Sequence, residues 1–600
     1  MYGWMGKCAY IELSTQKVEI IDTNEALVKK FLGGSGVGIK LLFDLLSPRI
    51  APLSPSNILI FAPGPITASR IYGTGRHAVI TKSPLTGYIG DATSGGYFGA
   101  YLKKAGFDYI LISGKSEKPI YLEINDGSVS FHKADDLWGL GTKETIKQLK
   151  SIYGKKSGVA AIGPAGENMV LFAAIMNDEI NAAGRTGIGA VMGSKKLKAI
   201  VAVGDRNVEE AKPDELDKLL DKMNARITWS PMLGHALREF GTSALVNLIN
   251  ESGILPTKNF EYGVYEYAEE ISGESLRDKI LISRRTCYNC PVACKRVTKT
   301  KSAEGEGPEY ETIVNLGSML MINNIEQIAE LNYLCNDLGI DTISAGGTLA
   351  TYLELSELNK VPEKVEWGDF EKIKELLVNI AYRKGIGNYL ADGSKRLAEK
   401  FGAPEVSVTV KSLEVPAYDP RGAFGMALSY ATSYRGACHL RSWAISFEII
   451  GVPNLVDRFS IIEKPTLVKY TQDLSAVYDS LVMCKHYSIE FDEDYLALML
   501  TYVTGVQYAK EDVLKIGERI WNLARLFNLR EGMKKDEDKL PKKFEKPLPS
   551  GPAAGKIIPF DIMLKTYYNV RGWTEDGVPS DKKLSELNLV KEGEMFGRAR

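Results

Sequence analysis

The sequence predicts an α+β fold, with a β-rich N-terminal domain (residues 1–208) followed by two mainly α-helical domains (residues 209–412 and 413–600). Short β-branched runs separated by Gly, Pro and Ser dominate the first third of the chain. After about residue 209 the apolar spacing changes to the helical period, as in residues 213–220 and 324–334. A chain of 600 residues also exceeds what one hydrophobic core usually serves, which indicates several domains that share a buried site.

Four apolar runs bounded by turn residues carry the strand prediction: residues 57–61, 77–81, 108–112 and 120–124. Two glycine-rich passages, residues 93–99 and 182–195, interrupt them, and glycine lets backbone approach a ligand closely. Neither passage has the glycine spacing and downstream acidic residue of a dinucleotide-binding fingerprint. We therefore reject a Rossmann fold.

Helical periodicity is clearest near the C-terminus, where a helix is predicted to begin near Ala509. Its apolar face is expected in the core, whereas Lys515, Glu518 and Arg525 are expected to face water. The stretch 533–556 is rich in Lys and Pro and predicts an exposed connector.

Composition excludes several classes of protein. The formal net charge is −1, and basic residues alternate with acidic ones, so nucleic acid is not expected as a partner. The N-terminus has no signal-peptide pattern and no apolar run is long enough to span a membrane. Seven cysteines with one cluster suit metal binding in a reducing compartment better than disulfides. We expect a cytoplasmic protein that does not contact a membrane.

The cysteine cluster is the strongest chemical signal in the chain. Cys287, Cys290 and Cys294 stand at C-x2-C-x3-C spacing, and such thiolates bind zinc or iron–sulfur clusters. A structural zinc site usually shows a second C-x2-C half, which is absent here, so the spacing favours an iron–sulfur cluster. A fourth ligand must come from the remaining cysteines: Cys8, Cys335, Cys438 and Cys484.

Further motifs accompany this cluster along the chain. They are residues 81–87 (TKSPLTG), 162–168 (IGPAGEN), 306–311 (EGPEYE), 341–350 (DTISAGGTLA), 418–423 (YDPRGA) and 571–577 (RGWTEDG). In this order and with the cysteine motif, they closely resemble the tungsten-containing aldehyde ferredoxin oxidoreductases. The resemblance covers essentially the whole chain.

The resemblance implies that residues 1–208 bind a bis-pterin (molybdopterin) complex of tungsten, with molybdenum as the alternative metal. Arg76 would lie between the cluster and the pterin. Thr93 and Ala183 would approach the pterin phosphates and their Mg²⁺ ion, and Arg185 is a further candidate for pterin contact. The same resemblance implies a [4Fe–4S] cluster with four cysteine ligands: Cys287, Cys290, Cys294 and Cys484.

Two pterin-contacting segments of the family read D-x-x-G-L-D and D-x-x-G-L-C, and this chain departs from both. In the first, Asn336 replaces the leading Asp, whereas Gly339 and Asp341 are retained. In the second, Asp479 is retained and Val482 replaces the glycine. Cofactor binding is still expected because polar atoms remain at these positions.

Glu311 and His439 match the acid/base residues that the family places beside the metal, and Tyr310 is a candidate for substrate binding. Oxidation of an aldehyde to an acid needs a proton acceptor for water and a group that polarises the carbonyl. Without the resemblance, a lone glutamate would be a solvated helix residue and a lone histidine a structural one. With it, we expect an enzyme that passes electrons from an aldehyde through the cluster to ferredoxin.

Two alternatives remain open. One is a relative that serves as the catalytic subunit of a multisubunit reductase or of an NAD-linked aldehyde dehydrogenase complex. The other is an iron–sulfur or zinc scaffold that has lost the pterin. The oligomeric state is also open between a homodimer and a complex with electron-transfer subunits. The family's metal-binding E-x-x-H pair is incomplete here, since Tyr333 follows Glu330 in place of histidine.

Overall fold

The computed structural model describes residues 1–178 and 180–599. Two six-stranded mixed sheets form the first third of the chain. The strands of the first sheet are β1 (Lys7–Glu12), β2 (Lys17–Asp22), β3 (Leu59–Ala62), β4 (His77–Lys82), β5 (Ile89–Ser94) and β6 (Tyr109–Ser113), in the spatial order β2-β1-β6-β3-β4-β5. Those of the second are β7 (Ile120–Asn125), β8 (Ser128–Lys133), β9 (Ser157–Ala161), β10 (Ile175–Asn177), β11 (Asn181–Ala183) and β12 (Leu197–Val203), in the order β11-β10-β9-β12-β7-β8. The pairs β1–β6 and β7–β12 are parallel, and the other pairs are antiparallel.

The two sheets share one apolar core. A strand with one face in this core alternates apolar and polar residues, whereas a strand buried on both faces is apolar throughout. Phe61 and Val79 of the first sheet and Leu122 and Ile200 of the second belong to this core and are fully buried. Six helices accompany the sheets: α1 (Glu25–Phe31), α2 (Gly34–Leu45), α3 (Phe98–Lys104), α4 (Thr142–Tyr153), α5 (Pro164–Glu167) and α6 (Ile188–Ser194). The predicted strands agree with the structure to within about two residues, for example residues 77–81 against β4.

The remainder of the described chain is mainly helical, which confirms the predicted fold class. Its α-helices are α7 (Pro213–Trp229), α8 (Leu237–Phe240), α9 (Leu245–Glu251), α10 (Gly273–Ile280), α11 (Tyr310–Leu316), α12 (Ile325–Leu338), α13 (Thr342–Glu357), α14 (Phe370–Tyr382), α15 (Gly387–Leu390), α16 (Ser394–Lys400), α17 (Phe424–Thr432), α18 (Lys464–Leu481), α19 (Glu493–Thr504), α20 (Lys510–Arg530), α21 (Phe560–Arg571), α22 (Asp581–Glu586) and α23 (Val590–Ala599). The largest apolar core runs from α2 in the N-terminal part to α18 and α20, so the two parts are packed together.

Two small sheets interrupt the helical part. β13 (Leu281–Arg285), β14 (Lys295–Lys299) and β15 (Glu304–Glu306) form an antiparallel sheet in that order, and β16 (Thr409–Val410) pairs with β17 (Leu413–Glu414). The loop between β13 and β14 carries the three clustered cysteines. β13 is therefore an edge strand that leads directly into the cysteine loop.

One sequence-based expectation about the C-terminal part is wrong. Arg525 does not face water but is buried, with Nη1 2.7 Å from Oδ2 of Asp538, and Glu518 is largely buried beside Lys469 and Lys583. It failed because ion pairs with distant partners made burial of charge tolerable. The stretch 533–556 is exposed at most positions, as expected of a connector, but Asp538 and Phe544 anchor it in the core.

The predicted division at residue 208 falls between the end of β12 and the start of α7. The division into three domains stays a prediction. No helix in the described ranges is long and apolar enough to cross a membrane.

Candidate functional site

The four predicted cluster cysteines lie together at the surface end of the β-rich part. Cys287, Cys290 and Cys294 are half-buried in the loop after β13, and Cys484 is half-buried just after α18. Electrostatic effects on the thiol pKa values link all four cysteines, since Cys484 acts on Cys290, Cys290 acts on Cys287, and Cys287 acts on Cys294. The structure therefore brings the distant Cys484 to the three clustered cysteines.

The backbone of Gly73 joins the two cysteine segments. Its N–H donates to the carbonyl of Asn289 at 3.1 Å, and its carbonyl accepts from the N–H of Cys484 at 3.0 Å. Gly73 has φ +74°, and a Cβ here would lie 2.6 Å from the ring of Tyr487. Only glycine fits this left-handed, close-packed position, so the turn is specified by the sequence Gly73-Thr74-Gly75.

Polar side chains surround the thiols. His486 lies beside both Cys294 and Cys484, and the hydroxyl of Tyr487 lies 3.4 Å from Sγ of Cys290. Burial opposes ionisation of Cys484, yet His486 and Arg76 lower the pKa of its thiol to about 6. Thiolates are the metal-binding form of cysteine, so this setting is suited to ligating iron.

Cys8, Cys335 and Cys438 are buried away from the cluster loop, in β1, in α12 and after α17. Burial raises the pKa of Cys8 to about 11, which disfavours its thiolate. Within residues 1–178 and 180–599, no three His, Cys, Asp or Glu side chains converge to hold a single metal ion. A [4Fe–4S] cluster does not require such convergence, because each thiolate binds a different iron atom.

A cavity of about 260 Å³ lies between the sheets and the helical part. Its lining combines apolar side chains with many polar and charged ones, and it comes from β5, β10, β11, β14, β15, the helices α11 to α13 and the segment after α17. Six predicted site residues line it: Thr93, Arg185, Glu311, Asn336, Asp341 and His439. The structure thus gathers residues spread over about three hundred and fifty positions into one space.

Glu311 and His439 face each other in this cavity. Nδ1 of His439 lies 3.5 Å from Oε1 of Glu311, and neither atom has a hydrogen-bond partner in the described ranges. The other carboxylate oxygen of Glu311 accepts the N–H of Ala417 at 2.9 Å, which fixes its direction. Burial raises the pKa of Glu311 to about 8, and burial together with Arg185 lowers the pKa of His439 well below its usual value. Two buried polar atoms without a partner point to a ligand or reactant in the cavity beside these side chains.

The residues of the first predicted pterin-contacting segment are positioned by hydrogen bonds within the chain. Asp341 begins α13, accepting the N–H of Ile343 at 3.1 Å, and its other oxygen lies 3.2 Å from Nε of Arg185. Gly339 ends α12 with φ +74°, as glycine does at a helix C-cap. Asn336 lines the cavity one turn earlier. A Cβ added at Gly184 would approach no atom closer than 4.0 Å, so the backbone of Gly184 borders open space.

The second segment belongs to a buried ion-pair chain. Oδ2 of Asp479 lies 3.0 Å from Nη1 of Arg441, whose Nη2 lies 2.7 Å from Oδ2 of Asp91 in β5. Nζ of Lys485 lies 3.1 Å from the other oxygen of Asp479. Arg441 lines the cavity, whereas Asp479 stands behind it. Val482 occupies the left-handed region, with φ 53°, at the end of α18.

Three further candidates differ in their placement. Both Nη2 contacts of Arg76 go to Thr93, at 3.2 Å to its carbonyl and 3.2 Å to its hydroxyl. Ala183 is buried in β11, and its neighbour Ala182 lines the cavity instead. Tyr310 does not line the cavity. Its hydroxyl donates to the carbonyl of Ala417 at 2.5 Å and is therefore not free to bind a substrate. The predicted role of Tyr310 in substrate binding therefore has no geometric support.

The sequence analysis missed a charged group on the cavity wall. Lys295 contacts Oε1 of Glu306 and lies 3.0 Å from Oε1 of Glu309. Burial raises the pKa of Glu306 to about 7, whereas Lys295 and Arg296 hold the pKa of Glu309 below its usual value. The signal was present, since Lys295 directly follows Cys294 and both glutamates precede Glu311.

The E-x-x-H position is occupied by contacts within the chain. The hydroxyl of Tyr333 lies 2.6 Å from that of Thr298, and Glu330 accepts a hydrogen bond from Ser302. These residues do not offer a metal site.

Two family models match the chain. The model described as "Aldehyde ferredoxin oxidoreductase, N-terminal domain" matches residues 8–204, and the one described as "Aldehyde ferredoxin oxidoreductase, domains 2 & 3" matches residues 218–589. Two relatives named as tungsten-containing aldehyde ferredoxin oxidoreductases are similar over the whole length. The one from Pyrococcus furiosus is 45% identical over 603 residues, and the one from Thermococcus kodakarensis is 46% identical over 604 residues. Each alignment covers 98% of this chain and 100% of the relative.

A solved structure shares the fold. It is the active-site complex of benzoyl coenzyme A reductase with 1,5-dienoyl-CoA, which matches with a TM-score of 0.87 and 25% identity. The match covers 100% of this chain and 99% of the solved chain.

Proposed function

The chain belongs to the aldehyde ferredoxin oxidoreductase family, and from this membership we propose that it oxidises an aldehyde, with water, to a carboxylic acid. Two electrons leave the substrate and pass one at a time to ferredoxin. The observation that carries the proposal is the pair Glu311 and His439, unpartnered and 3.5 Å apart in a buried cavity. The four thiols are close to this cavity, since Lys295 on its wall directly follows Cys294.

The chain's donor set fits the cofactors of the family. We assign Cys287, Cys290, Cys294 and Cys484 to a [4Fe–4S] cluster, because thiolates are its usual ligands. Arg185, Asn336 and the backbone at Gly184 border the cavity and would contact the pterin. We assign the Mg²⁺ of the pterin phosphates to oxygen atoms near Thr93 and Ala183, since Mg²⁺ prefers oxygen ligands. When bound, the tungsten bis-pterin would supply a two-electron acceptor for the substrate, and the cluster would supply a one-electron route to the surface.

Glu311 acts as the proton acceptor in this proposal. Its free Oε1 faces the cavity, while its other oxygen is fixed by Ala417 and Asn315. A carboxylate with a pKa of about 8 is a strong enough base to take a proton from water once it is ionised. The burial that raises its pKa also keeps bulk water from competing for that proton.

His439 orients the carbonyl of the aldehyde. Its imidazole is neutral, because burial and three arginines lower its pKa. A neutral imidazole can donate one hydrogen bond to the carbonyl oxygen and stabilise charge that develops there. The nearby ring of Tyr418, 6.0 Å from that of His439, limits the space on one side.

The test is aldehyde-dependent reduction of a viologen dye by anaerobically purified protein, with tungsten, molybdenum, iron and pterin measured on the same sample. We expect dye reduction, tungsten with pterin, and roughly four iron atoms per chain. A chain with a full cluster but no pterin and no activity would refute the enzyme and favour the scaffold alternative. Partner subunits that copurify and are needed for turnover would instead favour a multisubunit relative.

A further inference from the structure

The surface above the four thiols is the part of the molecule where electrons have least protein to cross. These four cysteines are half-buried, whereas Cys8, Cys335 and Cys438 are buried. Asn289, at the tip of the cysteine loop, is exposed and has φ 46°. Because the rate of electron transfer falls steeply with distance, a protein that collects electrons from this cluster must bind close to this loop.

The strand leading into the loop is strongly basic. Residues 277–296 contain six basic residues and one acidic residue, in a chain whose formal net charge is −1. Lys295 and Arg296 of this segment are turned inward and paired with Glu309. Arg284 and Arg285, in contrast, are exposed on the edge strand β13 and form no ion pair within the described ranges.

Two other cations border the same loop and form no ion pair within the described ranges. The guanidinium of Arg238 donates to the carbonyl of Pro291 at 3.0 Å, and Nζ of Lys104 lies 5.6 Å from the ring centre of Tyr288. The rings of Tyr97 and Tyr288 meet edge to face, with centres 6.3 Å apart, which adds an apolar contact area.

The acidic groups of this face are fewer than its cations. Glu210 and Asp217 share Arg70, and Glu239 and Asp278 share Arg277, so each arginine leaves one carboxylate uncompensated. Four unpaired cations outweigh these two negative charges, so the face is positive overall. A positive patch beside an aromatic pair suits an acidic partner, because complementary charge speeds encounter and selects orientation.

We propose that this basic face, formed by Lys104, Arg238, Arg284 and Arg285 around the cysteine loop, is the docking surface for an acidic ferredoxin. The inference rests on the proposed aldehyde oxidation. One aldehyde, one water and two oxidised ferredoxins give one carboxylate, three protons and two reduced ferredoxins. Two docking events per turnover are therefore required, since each carrier takes one electron.

The decisive variant is Arg284→Glu/Arg285→Glu, with an acidic [4Fe–4S] ferredoxin as the probe and a viologen dye as the small acceptor. The matched control is Lys118→Glu/Lys133→Glu, which reverses two exposed charges beside the edge strand β8. Five strand spacings separate β8 from β11, about 24 Å. β11 is next to the thiols, since Asn181 lies 3.7 Å from Sγ of Cys287.

At low salt we expect kcat/KM for ferredoxin to fall about tenfold or more in the Arg284/Arg285 variant and to stay within about twofold in the control. Near 1 M salt, where the Debye length is about 3 Å, the two variants should differ little. Dye reduction and iron content should match the wild type in both. If the double variant loses iron, the single variants Arg284→Gln and Arg285→Gln replace it. Each must then show a smaller fall in kcat/KM for ferredoxin at low salt, and this fall must disappear near 1 M salt.

Three outcomes separate the docking surface from the proposed function. Unchanged ferredoxin kinetics in the Arg284/Arg285 variant would refute the docking surface and leave the aldehyde chemistry intact. An equal loss in the control would also refute it, because the effect would then follow net charge. Wild-type protein that oxidises no aldehyde with the dye would refute the function itself, whatever the ferredoxin kinetics.

Discussion

The thiol site and the cavity are neighbours, but they are built in different ways. The thiol site consists of one short loop and one distant cysteine, joined by backbone hydrogen bonds through Gly73. The cavity is lined by side chains from both sheets and several helices, and most of these pair with one another. Arg185 alone contacts Asp341 and the carbonyls of Ala437 and Glu414.

The comparison shows which side-chain atoms remain free to bind a cofactor or to react after the chain has folded. In the thiol site, all four sulfurs stay together and each is a potential ligand. In the cavity, pairing within the chain leaves few atoms free, and Oε1 of Glu311 and Nδ1 of His439 are two of them. We therefore expect changes in the thiol site to remove a cofactor, and changes in the cavity to alter rate while the cofactors stay.

The largest effect is expected from Cys484→Ser, which tests whether the distant cysteine completes the thiol site. A hydroxyl is a poor ligand for iron compared with a thiolate, so the variant should lose most of its roughly four iron atoms and the EPR signal of the reduced cluster. Cys335→Ser, in a cysteine buried in α12, is the control and should keep both. If Cys335→Ser loses the signal while Cys484→Ser keeps it, the fourth ligand is misassigned.

Glu311→Gln should give the next largest effect and should leave cofactors unchanged. The amide keeps the shape of the side chain but cannot accept a proton, so kcat should fall about 10²–10⁴-fold. Glu414→Gln is the control, since Glu414 is also buried and accepts a backbone N–H, from Ser394 at 3.0 Å, but does not line the cavity. Near-native turnover of fully metallated Glu311→Gln would remove this residue from the mechanism.

Gly73→Ala tests the backbone joint between the two halves of the thiol site. Its Cβ would meet Tyr487 at 2.6 Å, in a backbone conformation that L residues rarely adopt. Gly87→Ala is a matched control, because Gly87 has φ +79° but no atom within 4 Å of the added carbon. Strain is common to both variants, so the clash should make Gly73→Ala about 1–3 kcal/mol more destabilising in the free energy of unfolding. Equal unfolding free energies would show that the joint tolerates bulk.

The fold could be predicted further from the sequence than the site could. Strands such as β4 were predicted because apolar periodicity is local, and the cysteine motif because its ligands are close in sequence. Burial of Asp538 could not be predicted, since it depends on Lys411 and Arg525, which lie far from it along the chain. The resemblance to the family, and not any local pattern, singled out Glu311 and His439.

Resemblance also had limits within the cavity. It suggested Tyr310 for substrate binding, yet the hydroxyl of Tyr310 is used by the carbonyl of Ala417. It assigned no role to Lys295 or to Glu306, which line the cavity, although Glu306 belongs to the matching segment 306–311. Which polar groups remain free depends on pairing across the whole fold, and this cannot be deduced from motifs one at a time.

The pH dependence of the wild type sharpens the role of the cavity. Burial raises the pKa of Glu311 to about 8, so its basic form is lost as the pH falls through that value. We expect kcat/KM for the aldehyde to rise about tenfold per pH unit below about 8 and to level off above it. The remaining activity of Glu311→Gln should lack this rise. A wild-type profile that is flat between about pH 6 and 9 would contradict the assignment of Glu311 as the base.

The smallest effect is expected at Val482, which lies two residues before Cys484, between the cavity and the thiol site. Val482 occupies the position at which the family has glycine. Its φ of 53° is unusual for a β-branched residue, while its side chain is fully buried. Val482→Ala should lose buried methyl groups and keep most of the backbone strain. Val482→Gly loses one more carbon, worth about 0.8 kcal/mol, but relieves strain of about 1–2 kcal/mol. We therefore expect Val482→Gly to be about 0.5 kcal/mol more stable than Val482→Ala in denaturant unfolding, with iron content unchanged in both. If the alanine variant is clearly the more stable, the left-handed strain at residue 482 costs less than the loss of one buried carbon.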